Sequence, residues 1–447
     1  MVSTKNVELA NSAMDKAQKK LVPFVLLMYI LAFLDRANIG FAKQAFQLDT
    51  GISDAAFALG AGIFFLGYAV FEVPSNIIMH HVGARAWLAR IMVTWGLISA
   101  GFAWVSTESA FLTLRVLLGI AEAGFFPGII YYFTFWFTQR RRSSVMGLFY
   151  LGPPLAFIFG SPLSGILLDL NGLMGFHGWQ WMFVVEGVLA AVVGVWAYWY
   201  LVDKPQDAKW MTAEEKQALA AELEEENAGK PQGHVGPLKA LGNPKVWFLC
   251  VIFFMIQVSN YGLNFYLPTQ VAGLLGQKVG LMVGLVSAIP WICALVATVL
   301  IPRYSDRSGK RGSLAAVIVC LAGLGLIISA TTNPLLGIIA LCVVAAANLS
   351  CQPVFWTMPS RFLSGIAAAS AIALINAVGN LGGFLAPNLR VWAEQTFHNP
   401  YAGLYALGGI ALMGSVLLLI SIPLGIGNNT EGMSEAGNVQ PEVKLGK

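Results

Sequence analysis

The chain has 447 residues, of which 57% are hydrophobic and only 11% are charged, and its mean hydropathy is +0.69. Soluble proteins of this size carry about 25% charged residues, so the composition excludes a soluble globular protein and indicates an integral membrane protein. The net charge of +4 is small and gives no reason to expect a nucleic-acid partner.

Segment 1–20 is polar, and we expect it to be a cytoplasmic N-terminal segment rather than a signal peptide, since the apolar run that follows is too long for one. A helix needs about 20 apolar residues to span a bilayer. Twelve runs reach this length and predict an all-α polytopic membrane protein with twelve transmembrane helices: 21–42, 57–80, 86–105, 110–137, 143–168, 180–201, 244–271, 280–302, 313–331, 334–361, 366–391 and 402–425.

Connections rich in lysine and arginine alternate along the chain with connections poor in these residues, which predicts the orientation of the helices. The connections that share a side with the N-terminus hold basic groups such as Arg140-Arg141-Arg142 and the run from Arg303 to Arg311. The opposite connections hold only Lys43, Lys278 and Arg390, each beside a helix end. We therefore expect both termini to be cytoplasmic.

The longest connection, 202–243, divides the chain into two six-helix bundles, 21–201 and 244–425, which precede a cytoplasmic tail, 426–447. An ungapped shift of 225–226 residues aligns these halves, placing Gly83 on Gly309 and Pro162 on Pro387. Repeated halves are typical of transporters, which bind substrate near the midplane between them.

The loop from Tyr304 to Arg311 resembles the cytoplasmic motif of the major facilitator superfamily, and the segment from His80 to Arg85 is its first-half counterpart without the usual Asp. A narrower resemblance, to the anion:cation symporter family, rests on the segments Leu34–Gly40, Val73–Asn76, Gly83–Trp87 and Ala121–Gly128. Within that family the chain is most similar to bacterial sugar-acid transporters of the rhamnonate or galactonate type.

Four charged residues lie inside apolar runs, where hydrocarbon cannot solvate them and where charges are typically functional. Asp35 and Arg36 lie in the first helix, and Arg115 and Glu122 lie in the fourth. At roughly 1.5 Å per residue, Asp35 and Arg115 reach a similar depth. Glu122 is seven residues beyond Arg115, on the same helical face.

We hypothesise that Arg36 holds the substrate carboxylate, since the guanidinium fork suits two parallel bonds. Asp35 and Glu122 would be the protonatable groups, and Arg115 would set the proton affinity of one of them. The matching residues of the symporter family play such parts. The alternative is a static charge network that only locks the first helix to the fourth.

The second half carries no Asp or Glu away from its helix ends and offers neutral donors instead, which suit hydroxyl-rich substrates. Resemblance to sugar-acid carriers implies substrate contacts at Tyr68, Trp356 and Asn376. The internal repeat adds Gln257 and Asn260. For each of these residues, hydrogen bonding between helices is the competing role.

The remaining polar residues give weaker evidence for a functional site than these do. Glu72 and Glu186 are single carboxylates without a partner in register, and we interpret both as structural. The five cysteines lie in apolar segments without metal-like spacing, and no nucleotide-binding or catalytic motif is present in the sequence. We therefore expect no cofactor, no metal and no enzymatic activity.

These observations predict a proton-coupled symporter, monomeric and in the bacterial inner membrane, that imports a sugar acid by alternating access. Its partners would be a small organic anion, protons and the lipid bilayer. The alternatives are an exchanger or exporter of dicarboxylates or aromatic acids, with identical residues but different energetics, and a transport-inactive nutrient sensor.

Overall fold

The computed structural model describes residues 4–228, 242–308, 310–359 and 365–426. Twelve of its helices are long and apolar enough to cross a membrane, which confirms the predicted all-α fold. We number them α1 to α12: α1 Asn6–Thr50, α2 Asp54–Val82, α3 Ala84–Trp104, α4 Glu108–Thr134, α5 Ser144–Asp169, α6 Gly178–Tyr200, α7 Pro244–Leu275, α8 Leu281–Ser305, α9 Arg311–Ser329, α10 Pro334–Phe355, α11 Ala371–Phe397 and α12 Ala402–Ser421.

Three of these spans are interrupted within their length. The α4 span consists of Glu108–Glu122 and Phe125–Thr134, and a helix from Gln139 to Phe149 leads into the Gly152–Asp169 part of α5. The α11 span is broken at Leu381, between Gly365–Asn380 and Gly382–Phe397. Irregular backbone at membrane depth is tolerated where it is buried in protein or lines a cavity.

The helix that contains the α1 span runs from Thr4 to Thr50 and so begins well before the predicted start at Leu21. Its additional turns have a buried apolar face with helical spacing, formed by Ala10, Ala13, Met14 and Ala17. This part of the first helix contacts a polar helix in the connection between the halves, Ala213–Ala228, which we name the loop helix. The sequence predicts only a polar segment here, because a narrow stripe of small residues is a weak hydrophobic signal.

At the end of the bundle away from the termini, the two halves pack closely. A Cβ atom on Gly40 of α1 would lie 2.6 Å from the carbonyl oxygen of Phe265 in α7. A Cβ on Gly62 of α2 would lie 2.8 Å from the carbonyl oxygen of Phe384 in α11. Only glycine permits such backbone approach, so these positions close that end of the space between the halves.

The division into bundles 21–201 and 244–425 stays a prediction. Within the connection 202–243, residues 229–241 lie outside the described residues, as do Gly309 of the repeat alignment and all of the tail 426–447 except Ile426.

Glu215 anchors the loop helix to the start of the first helix. Its carboxylate accepts hydrogen bonds from Lys16 Nζ at 2.9 Å and Ser12 Oγ at 2.8 Å, and its other contact is the backbone of Thr212. Burial raises the pKa of Glu215, but these hydrogen bonds outweigh burial and bring that pKa to about 2. The ionised carboxylate therefore favours the docked arrangement.

We expect Glu215→Gln to loosen the loop helix at neutral pH, measured as faster amide hydrogen exchange over residues 213–228. In the wild type this stabilisation is present above the ordinary glutamate pKa of 4.5 and is lost as the pH falls through about 2. Glu225→Gln, an exposed substitution on the same helix, is the matched control and should leave exchange unchanged. Equal exchange in both variants would contradict this role of Glu215.

Candidate functional site

A cavity of about 1300 Å³ lies between the two halves of the chain. Arg36 and Glu122 line it near the middle of the membrane spans, and the exposed His80 and His81 line it at the end of α2 closest to the termini. Most of the wall is apolar and aromatic, including Tyr29, as is usual for small-molecule sites. The cavity thus reaches the side of the bundle on which the termini lie and ends against the closed side.

Arg36 and Glu122 form an ion pair on the cavity wall. The Nε atom of Arg36 donates a hydrogen bond to Glu122 Oε1 at 2.8 Å, and Nη2 of the same guanidinium contacts that oxygen. Glu122 is fully buried, and its Oε2 atom has no hydrogen-bond partner among the described residues. The rings of Phe33 and Tyr68 each lie 5.3 Å from the Arg36 guanidinium carbon. Aromatic faces at this distance stabilise a cation by cation–π attraction.

The interruption of α4 explains how Glu122 comes to face Arg36. The first half of α4 ends at Glu122, and Gly124 follows with φ of +85°, a conformation that side chains rarely adopt. A Cβ on Gly124 would also lie 2.7 Å from the Cβ of Ser75 in α2. Because the C-terminus of a helix carries partial negative charge, the break adds to the attraction for a cation near Glu122.

Asp35 is buried behind the cavity wall and does not line the cavity. Its Oδ1 atom accepts a hydrogen bond from Ser99 Oγ of α3 and lies 3.4 Å from Asn38 Nδ2. Its Oδ2 atom is buried without a partner among the described residues. The hydrogen-bonding capacity of the Asp35 carboxyl is therefore only partly satisfied.

Arg115 is also buried, and its hydrogen bonds go to the backbone of α2. Its Nε donates to the carbonyl oxygen of Gly60 at 2.8 Å, and Nη2 donates to that of Ala61 at 3.2 Å. Arg115 and Arg36 flank the ring of Phe64, with guanidinium carbons 5.1 and 5.5 Å from its centroid. The predicted quartet thus lies in one region, but the described structure contains only one ion pair within it, Arg36–Glu122.

The second half contributes neutral polar groups opposite these charges. The amide oxygens of Gln257, Asn260 and Asn264, on one face of α7, are buried without partners among the described residues and belong to side chains that line the cavity. Tyr68, Trp356 and Asn376 line it as well. All six predicted substrate-binding residues therefore line one cavity together with Glu122, while Asp35 and Arg115 lie behind its wall.

Some residues of this region were missed or interpreted differently in the sequence. Ser99 bonds to Asp35, and a single serine in an apolar span gives no signal for that contact. Glu72, interpreted as structural, lines the cavity. Glu186 is buried away from the cavity and accepts a hydrogen bond from Ser164 Oγ at 2.8 Å. The described residues include no group of His, Cys, Asp and Glu side chains suited to a metal ion.

The geometry of Arg115 predicts that the two hydrogen-bond donors of its guanidinium group stabilise the protein in addition to its charge. We expect Arg115→Lys to lose at least one of the two hydrogen bonds to the carbonyls of Gly60 and Ala61, at a cost of about 1.5–3 kcal/mol for a bond from a charged donor, and to lower the apparent Tm by a few degrees. The measurement is thermal unfolding in detergent, with Arg307→Lys at an exposed position as the matched control. If Arg115→Lys is as stable as the control, the two hydrogen bonds from Arg115 to α2 do not contribute to the stability of the protein.

Comparison with known proteins gives a consistent picture. The sequence profile of the Major Facilitator Superfamily matches residues 25–387. The chain is 50% identical over 410 residues to the Inner membrane transport protein RhmT of Escherichia coli strain K12, covering 92% of this chain and 95% of that protein. It is 43% identical over 414 residues to a Putative tartrate transporter of Agrobacterium vitis, covering 92% of both chains.

The fold is similar to that of the xylose transporter XylE from E. coli in a partially occluded inward open conformation. The TM-score is 0.70 at 13% sequence identity, with 91% of this chain and 98% of that chain covered. These relatives are transporters rather than enzymes, and they fit the predicted resemblance to sugar-acid carriers. With its twelve spanning helices and the profile match over most of its length, the chain is a multi-pass membrane transporter that belongs to the major facilitator superfamily.

Proposed function

We propose that this protein is a proton-coupled symporter that imports an organic anion, a sugar acid of the aldonate class, by alternating access. The single observation that carries the proposal is the Arg36–Glu122 ion pair on the wall of a large cavity between the halves. A cation on the wall of such a cavity can receive an anion, and its present partner is a group that can take up a proton.

The coupling follows from the cost of an unpaired buried charge. When a substrate carboxylate binds Arg36, Glu122 loses its only ion-pair partner among the described residues. A buried carboxylate without a cation is expensive, because the protein interior solvates it poorly, so Glu122 is more stable with a proton. Binding of the anion and binding of a proton therefore favour each other. Asp35 is the second proton-binding group in this scheme. It lies behind the cavity wall, and its carboxyl has hydrogen-bond partners for only one of its two oxygen atoms among the described residues.

Hydroxyl groups of the substrate would be recognised by the second half. The amide oxygens of Gln257 and Asn260 can accept hydrogen bonds from hydroxyls, and Asn376 and Trp356 supply a further polar group and an aromatic face. The names of the relatives support an acid that carries hydroxyl groups as well as a carboxylate, since one relative is described as a tartrate transporter. The proposed ligand thus has one carboxylate at Arg36 and hydroxyls towards α7 and α11.

The distribution of basic residues supports an orientation with both termini in the cytoplasm of a bacterial cell, in the inner membrane. In that orientation the cavity would open inwards, which corresponds to the substrate-releasing state of an importer. A monomer is sufficient for this scheme, because every proposed contact comes from one chain.

The direct test is uptake of labelled rhamnonate or galactonate into proteoliposomes. We expect a proton gradient, acidic on the side from which substrate enters, to drive accumulation above equilibrium. Asp35→Asn should abolish this accumulation but retain exchange of labelled for unlabelled substrate, because the neutral amide cannot carry a proton. Glu225→Gln, the same type of change at an exposed position, should behave as the wild type.

Two outcomes would contradict the proposal. Uptake that is independent of the proton gradient would indicate an exchanger, and absence of both uptake and binding of any organic acid would indicate another function. Full gradient-driven accumulation by Asp35→Asn would remove Asp35 from the coupling scheme.

A further inference from the structure

Glu72 is a carboxylate on the cavity wall that the proposed symport of an aldonate does not use. It lies in α2, partly buried, one turn beyond Tyr68 towards the open end of the cavity. Within the described residues no cation lies at salt-bridge distance from it. A carboxylate in the path of an anion is a mild disadvantage through charge repulsion, so its position suggests a ligand with a cationic group.

Asn76, one further turn along α2, adds a second acceptor beside Glu72. Its Nδ2 atom donates to the backbone carbonyl of Glu72 at 2.8 Å, which fixes the amide so that its oxygen points elsewhere. That oxygen is buried without a partner among the described residues, and Asn76 lines the cavity. A carboxylate and an amide oxygen one helical turn apart on the cavity wall both accept hydrogen bonds, which suits an ammonium ion with its three donors.

The cavity wall therefore carries a cationic donor, Arg36, at one end and an anionic acceptor, Glu72, at the other. Arg36 offers only donors, and its guanidinium carbon lies 5.3 Å from the ring of Tyr68. Glu72 follows Tyr68 by four residues, or roughly 6 Å along the helix, so the carboxylate lies about one helical turn beyond the ring that Arg36 contacts. Aromatic rings, including Tyr68 and Tyr29, line the wall around them.

We infer that the cavity also binds zwitterionic aromatic acids, with the carboxylate at Arg36, the ammonium group at Glu72 and Asn76, and the ring among the aromatic side chains between them. This second class of ligand rests on Arg36 acting as the carboxylate anchor of the proposed function. α-Amino acids are excluded, because their two charges are too close together to reach both ends.

The test compares two ligands of similar shape by isothermal titration calorimetry on the full-length protein in detergent. The probe is 4-(aminomethyl)benzoate, and 4-methylbenzoate is its analogue without the ammonium group. The wild type should bind the zwitterion about five- to tenfold more tightly, as expected for one partly screened ion pair. Glu72→Gln should bind the two ligands equally, whereas Glu225→Gln should keep the preference.

The outcomes separate this inference from the proposed function. Equal affinities in the wild type, or a preference that persists in Glu72→Gln, would overturn the ammonium site. If neither benzoate binds but an aldonate does, the second ligand class is wrong and the proposed function stands. If Arg36→Lys leaves the affinity for every acid unchanged, the carboxylate anchor is wrong, and both proposals fail.

Discussion

The rest of the site depends on one interaction, the hydrogen-bonded ion pair between Arg36 and the fully buried Glu122. Removing one partner from a buried ion pair typically costs about 3–5 kcal/mol, because the remaining charge is left without compensation. A ligand that takes Arg36 must therefore replace that interaction, and a proton on Glu122 relieves the charge that remains. In this account, coupling between an anion and a proton arises from electrostatics at one point of the wall.

The surrounding fold positions that pair and limits what else it can contact. The break at Gly124 ends the first part of α4 at Glu122, and close packing at Gly40 and Gly62 closes the far end of the bundle. Arg115, fixed to the backbone of α2, contributes positive charge behind the wall. The first half thus supplies the charged groups, while the second half supplies neutral amides whose oxygen atoms have no partner among the described residues.

Much of this could be predicted from the chain itself, because hydrocarbon imposes simple rules. Long apolar runs give the spans, and charges inside them, such as Asp35 and Glu122, must face the protein interior. Pairing is harder to predict, since depth along a helix does not determine which of two arginines meets Glu122. That Arg115 sets the proton affinity of one carboxylate stays a prediction, and its hydrogen bonds to carbonyls depend on the helix packing. The extension of the first helix and the cavity position of Glu72 depend likewise on tertiary contacts that no local pattern encodes.

The most direct test of the central claim is the number of protons taken up when an acid binds. Calorimetry at pH 7 in two buffers with different ionisation enthalpies gives this number from the difference between the apparent binding enthalpies. The account predicts uptake of about one proton for each aldonate bound by the wild type, and uptake that falls towards zero in Glu122→Gln although the acid still binds. Tight binding by the wild type with the same enthalpy in both buffers would contradict it.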